Sequence, residues 1–391
     1  MNLPLICRLI PAALLLGPAF AATPKLPGIG AQMQVFVDAQ EVAGVVTCVT
    51  TKDGIVHLET TGLADIAGKK PMQADTMFWL KSMTKPVTGV AVMMMVEEGR
   101  LKVEDPIAKY IPAFAGLRTP SGKPANLTIA QILTHTSGLG EGPVDAAGKS
   151  DLGGRTLADL IPQFLASPML YEPGAKWRYC QSGINTAARL VEIVSGMPFD
   201  EFVQQRICGP LGMKDTTFYP TERQLPRIAT VYARNQAGQL EAEPPRADIL
   251  SHDRPPMGNG GLYATAGDYA RFCQMLLNGG TLEGKHYLKP ATIKLMASNH
   301  TGDLKAGFTP GCSWGYICGV TMEPQGVTSM LSPGTYGHGG AFGTQAWIDP
   351  VKGAAYILMI QRSNLATSYR NGDESAIRGN FQQAAVAAMA K

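Results

Sequence analysis

Phe78-Trp79-Leu80-Lys81-Ser82-Met83-Thr84-Lys85-Pro86-Val87 sets a hydroxyl and an amine three residues apart at the head of a long apolar run. Residues at that spacing share one face of a helix, so the Lys85 amine comes within reach of the Ser82 hydroxyl. A free serine is a weak nucleophile until a neighbouring base takes its proton. The start of a helix also offers unpaired N–H groups and the positive end of the dipole, which suit an oxyanion. Behind the serine, Val87, Val90, Ala91, Met94 and Met95 trace a buried side, and Gly99 is a stop signal. The bland alternative for these ten residues is a capping serine and a solvated lysine. The rest of the chain has to decide between the two.

On the N-terminal side, 33–42 reads as a short amphipathic helix. Two strand-like runs, 45–50 and 55–60, flank Lys52-Asp53-Gly54, a hairpin with suitable turn chemistry. The middle of the chain is loop-rich and helical. It includes a short helix running into a glycine turn over 127–139, a polar surface loop at 140–154, and helices at 185–195, 199–207, 266–277 with Thr265 as cap, and 290–297. The tail returns to strands at 314–320, 336–348 and 355–361, followed by a final helix at 374–389. Strand-rich ends around a helical middle describe an α/β domain, of the α+β type, interrupted by an inserted helical domain. The expected division is residues 23–105 and 285–391 for the first and 106–284 for the second, with the active site in the cleft between them.

The first 22 residues stand apart. Arg8, an apolar run at 9–16 and Pro18-Ala19-Phe20-Ala21-Ala22 form a secretory signal peptide with an A-x-A cleavage site. The apolar run is too short for a stable membrane anchor, so an exported protein, periplasmic or secreted, is expected. The whole chain has 391 residues, 45% hydrophobic and 17% charged, and a formal net charge of +3. That charge is too small and scattered to argue for a nucleic-acid or membrane partner. Of seven cysteines, Cys7 lies in the leader. The other six show no C-x-x-C metal spacing and read mostly as small buried residues. Cys312, Trp314, Tyr316 and Cys318 alternate like one face of a strand, which would hold the two sulfurs roughly 20 Å apart, too far for a bridge.

Further segments repeat a pattern in order. Leu133-Thr134-His135-Thr136-Ser137-Gly138-Leu139 follows the nucleophile helix. Pro173-Gly174-Ala175-Lys176-Trp177-Arg178-Tyr179-Cys180-Gln181 stands where P-G-x-x-W-x-Y-x-N is found, and Gly337-His338-Gly339-Gly340-Ala341 where K-T-G or H-x-G is found. Trp347-Ile348-Asp349-Pro350 then ends that strand. With Ser82-Met83-Thr84-Lys85, the chain from about Gly28 to Gln361 resembles the serine β-lactamase and penicillin-binding-protein superfamily. It is most similar to the branch of class C β-lactamases, D,D-peptidases and family VIII carboxylesterases. The resemblance implies an antiparallel sheet flanked by helices with the all-helical domain inserted, and acyl transfer without a cofactor or metal. It implies Ser82 as nucleophile, Lys85 and Tyr179 as the proton-transfer pair, and the Ser82 and Ala341 amides as the oxyanion hole. Gln181, His338, Gly339 and Gly340 would contact a small ester or amide substrate. Two positions depart from the family pattern: Gln181 replaces Asn, and His338 replaces the Lys that holds a β-lactam's carboxylate. A histidine is a weaker, pH-dependent cation, so a family VIII-type carboxylesterase is favoured over a β-lactamase, a D,D-peptidase or a non-turnover penicillin-binding sensor.

Other candidates read as structural. Gly311-Cys312-Ser313-Trp314-Gly315 spells G-x-S-x-G, but that elbow needs a strand, a turn and then a helix, and here a strand continues. His135 reads as a turn histidine. His57, His252, His286 and His300 lack metal-ligand spacing.

Overall fold

The computed structural model describes residues 24–143, 152–365 and 375–390. The expected signal peptide, residues 144–151 of the polar loop and the first residue of the final helix lie outside these ranges.

The helices that matter are α1 (Ile29–Asp38), α2 (Thr84–Glu97), α3 (Ile129–Leu133), α4 (Leu157–Ala166), α5 (Gln181–Ser195), α6 (Phe199–Val203), α7 (Ala266–Leu277), α8 (Pro290–Met296) and α9 (Ser375–Met389). The strands are β1 (Gly44–Thr51), β2 (Ile55–Asp65), β3 (Lys70–Pro71), β4 (Met77–Trp79), β5 (Tyr263–Thr265), β6 (Cys312–Trp314), β7 (Gly319–Thr321), β8 (Tyr336–Gly339), β9 (Gln345–Asp349) and β10 (Ala354–Met359). Eight of them form one antiparallel sheet in the order β6-β7-β8-β9-β10-β1-β2-β3, so the two ends of the chain meet at β10 and β1. Val46 pairs with Met359 and Thr51 with Ala354 along that seam. Helices α1 and α9 pack together against one face; α7 lies against β1 and β10 on the other.

Helix α2 is central. All residues from Thr84 to Met95 are buried, although the sequence suggested a single buried side. The reason is its position between α5 and α8, with β8 at its start; a helix covered all round is apolar all round. Complete burial of a side chain such as Met93 contributes about 1.5–3 kcal/mol, and the methionine run of α2 fills the core in this way.

Thr265 caps α7 as expected, its Oγ1 accepting from the Asp268 amide at 3.1 Å. Helix α7, which its position in the chain assigns to the middle segment, packs on the sheet against β1 and β10. The first helix covers Ile29–Asp38 rather than 33–42, and α5 begins at Gln181 rather than at 185.

The largest correction concerns 314–320. These residues do not form one strand: β6 stops at Trp314, the chain turns, and β7 returns from Gly319, with Trp314 paired to Gly319 and Cys312 to Thr321. The turn closes by a Gly315 N–H donated to the Cys318 carbonyl (2.9 Å), and Ile317 takes a left-handed φ of 64°. Tyr316 and Ile317 donate to the carbonyls of Met296 and Leu133. The alternating apolar pattern therefore records tertiary contacts of a turn. Cys312 lies in β6, paired with Thr321, and Cys318 in the turn just before β7; both thiols are free, as are the other four cysteines of the described residues.

Among the described residues, no helix is long and apolar enough to cross a membrane, and no cluster of His, Cys, Asp or Glu has the makings of a metal site.

Candidate active site

Three chain segments converge where β8 meets the start of α2. Ser82 occupies a 3₁₀ turn, Lys81–Met83, that leads directly into α2. Tyr179 and Gln181 stand at the start of α5, and His338 to Ala341 run off the end of β8. Ser82, Tyr179, Gln181, His338, Gly339, Gly340 and Ala341 line one cavity of about 440 Å³. Lys85 sits behind Ser82, fully buried.

The Lys85 Nζ has three neighbours: Ser82 Oγ at 3.1 Å, Gln181 Oε1 at 2.8 Å and the Asn259 carbonyl at 2.7 Å. An ammonium would donate to all three. A neutral amine has two N–H bonds, which the two acceptor-only oxygens take, leaving its lone pair for the Ser82 hydroxyl. Both protonation states therefore fit without moving a heavy atom. Burial holds the Lys85 pKa well below the ordinary lysine range, opposed by the charge of Glu141.

Tyr179 lies over the same amine, with Lys85 Nζ 4.6 Å from its ring centre. Its hydroxyl is 3.3 Å from His338 Nε2 and also neighbours Ser82. Burial pushes this phenol far up, so it keeps its proton. His338 Nδ1 faces the carbonyl of Gly339, which can only accept. Nδ1 therefore carries the ring proton, and Nε2 accepts from the Tyr179 hydroxyl. Burial and the nearby Lys85 push the His338 pKa down to about 3. At that value the ring offers a hydrogen bond rather than a permanent charge near neutral pH.

The turn after β8 comes very close to the nucleophile. Thr344 Oγ1 donates to the Leu80 carbonyl at 3.0 Å, and a Cβ on Gly340 would fall 2.3 Å from that carbonyl oxygen and 2.1 Å from Thr344 Oγ1. Only glycine fits there.

Four residues of this site went unread in the sequence. Glu141 accepts from the amides of Gln181 (2.8 Å) and Ser182 (2.9 Å), capping α5. Asn259 binds both Lys85 and Gln181, the latter through Nδ2 at 3.0 Å. Arg378 of α9 reaches the Gly340 carbonyl at 3.1 Å and lines the cavity. Lys81 packs against Trp79 and Phe342. Only Asn259 carried a signal, the run Met257-Gly258-Asn259-Gly260-Gly261. There a Cβ on Gly258 would lie 2.8 Å from Ala188, so the loop threads tightly between α2 and α5. His135 takes a structural place: buried, with φ 60°, its Nδ1 accepts from the Cys180 amide at 3.1 Å and steadies the backbone beside Tyr179. Ser313 is buried in β6, bonded to Thr301 Oγ1 at 3.0 Å, and is not among the residues lining the cavity.

A cavity-lining serine backed by a buried amine, on a mixed sheet-and-helix scaffold, defines a serine hydrolase. The chain belongs to the β-lactamase family: the family model described as Beta-lactamase matches residues 30–378. Esterase EstB of Burkholderia gladioli is 27% identical over 82% of this chain and 86% of its own. A putative D-alanyl-D-alanine carboxypeptidase of Escherichia coli K12 is 30% identical over 84% of this chain and 81% of its own. Among solved structures, EstCE1, described as a hydrolase with promiscuous acyltransferase activity, superposes with a TM-score of 0.78 at 24% identity. The match covers 90% of this chain and 97% of that one.

Proposed function

We propose that the protein hydrolyses uncharged carboxylic esters through an acyl-enzyme on Ser82. Lys85 takes the hydroxyl proton as the Ser82 Oγ–carbon bond forms and the carbonyl electron pair moves to oxygen, facing the amides of Ser82 and Ala341. Collapse breaks the ester C–O bond, and the leaving alkoxide receives the proton from Lys85, with Tyr179 bridging toward it. Water then repeats the sequence, giving its proton to Lys85 and releasing the acid and Ser82. The observation that carries this reading is the triple contact of Lys85 Nζ, which leaves a lone pair for Ser82 whenever the amine is neutral.

The ester preference rests on the neutral His338 and on cavity walls of Phe308, Trp314, Val327, Trp347 and Leu365. The likeness to Esterase EstB supports it. A second reading, D-alanyl-D-alanine carboxypeptidase, draws on the Escherichia coli relative. We also read the protein as exported, from the leader-like residues 1–22, which cell fractionation would check.

The test is covalent labelling by an aryl phosphonate together with hydrolysis of aryl esters. Ser82→Ala should abolish labelling and reduce turnover by several orders of magnitude, while Ser313→Ala leaves both near wild type. Labelling that persists in Ser82→Ala and disappears in Ser313→Ala would overturn the mechanism. Preferential cleavage of a D-Ala-D-Ala peptide would favour the second reading.

A further inference from the structure

The residue just before the nucleophile stands in a conformation that side chains avoid. Lys81 has φ 49°, in the left-handed region, where a non-glycine residue is strained. Its side chain folds back onto aromatic rings: the ammonium lies 3.2 Å from the centre of the Trp79 ring and 4.2 Å from that of Phe342. The two rings meet edge to face at 5.5 Å. Trp79 is itself anchored, stacked on the buried Tyr263 at 5.4 Å and donating through Nε1 to the Gly260 carbonyl at 2.8 Å. Lys81 precedes Ser82, and Phe342 follows Ala341. The contact between them therefore spans the pair of amides assigned to the oxyanion, one residue out on each side.

We propose that Lys81 is a positioning residue whose ammonium, held between Trp79 and Phe342, fixes the spacing of the Ser82 and Ala341 amides. The inference rests on the acyl-enzyme reading above. An ammonium is drawn to ring faces and a neutral amine is not. Three charged groups stand nearby on the 243–248 segment. Arg246, paired with Asp248 at 2.9 Å, lies 5.1 Å from the Trp79 ring, and Glu243 opposes its effect. Burial and Arg246 push the Lys81 pKa down to about 7. The fastening is thus intact at pH 6 and weakens as pH rises through about 7.

The experiment measures phosphonate labelling rates, ester kcat and KM, and thermal unfolding between pH 6 and 9. It compares wild type, Lys81→Met, Lys81→Arg, Phe342→Leu and the Lys81→Met/Phe342→Leu double variant. At pH 6, Lys81→Met should slow labelling and kcat about tenfold, with KM within about twofold. Lys81→Arg should recover most of that loss, because the guanidinium keeps the ring contact. Phe342→Leu should match Lys81→Met, and the double variant should be no worse than either alone. The ratio of wild-type to Lys81→Arg rates should fall from pH 6 to pH 9, a trend a purely structural role would not produce. Wild-type labelling in Lys81→Met, an arginine variant as slow as the methionine one, or losses that multiply would overturn the proposal. If Lys81→Met fails to fold, Phe342→Leu decides alone, and wild-type labelling in it overturns the proposal. A wild-type protein that neither labels nor hydrolyses esters sinks the acyl-enzyme reading and this inference with it.

Discussion

Tyr179 and His338 are joined through their polar ends: the phenol oxygen lies 3.3 Å from imidazole Nε2, while Nδ1 is committed to the Gly339 carbonyl. Burial disfavours the charged ring, and a neutral imidazole with its proton on Nδ1 leaves Nε2 as an acceptor for the tyrosine.

With a His338 pKa near 3, no imidazole limb should shape the rate between pH 5 and 8. His338→Lys should add a cation and improve kcat/KM for a cephalosporin relative to an uncharged ester, by about 1–3 kcal/mol for one charge-assisted bond. The measurement is kcat/KM for both substrates in both proteins. A wild type that already prefers the cephalosporin would make the protein a β-lactamase with an unusual third motif.

Lys85→Arg should be nearly as damaging as Lys85→Ala, a loss of roughly 10²–10⁴ in kcat. A guanidinium stays protonated and has no lone pair to offer Ser82. Single-turnover acylation in the arginine variant checks this, with thermal unfolding to confirm that it folds. Substantial activity would remove Lys85 from the role of base.

Glu141→Gln should move the acidic limb of kcat/KM to lower pH. The Glu141 charge raises the Lys85 pKa against burial, so removing it frees the neutral amine at lower pH. The helix cap also weakens, costing on the order of 1 kcal/mol of stability. A pH–rate profile with an unmoved or raised acidic limb would contradict the assignment.

Gly340→Ala should lower kcat by roughly 10²–10³, the usual effect of losing one oxyanion donor. Its Cβ has no place to go beside the Leu80 carbonyl and Thr344 Oγ1, so the turn carrying Ala341 must shift. A chromogenic ester assay with a parallel melt separates this from unfolding. An active, stable alanine variant would show that the turn is free to yield.

Much of the architecture was legible because it is written locally. The spacing of Ser82 and Lys85 is one helical turn, Lys52-Asp53-Gly54 makes the β1–β2 turn, and Thr265 caps α7, all within a few residues of chain. The 314–320 segment was misread because a strand and a turn buried by outside contacts show the same apolar alternation. The rest of the site is long-range. Glu141 meets α5 about 40 residues on, Asn259 meets Lys85 across 174 residues, and Thr344 meets Leu80 across 264. None of these has a local period to betray it. The sequence by itself determined which groups could do chemistry. Burial and packing decided their state, since the charge of Lys85 and His338 and the tautomer of the imidazole depend on desolvation and on partners that only the folded chain supplies.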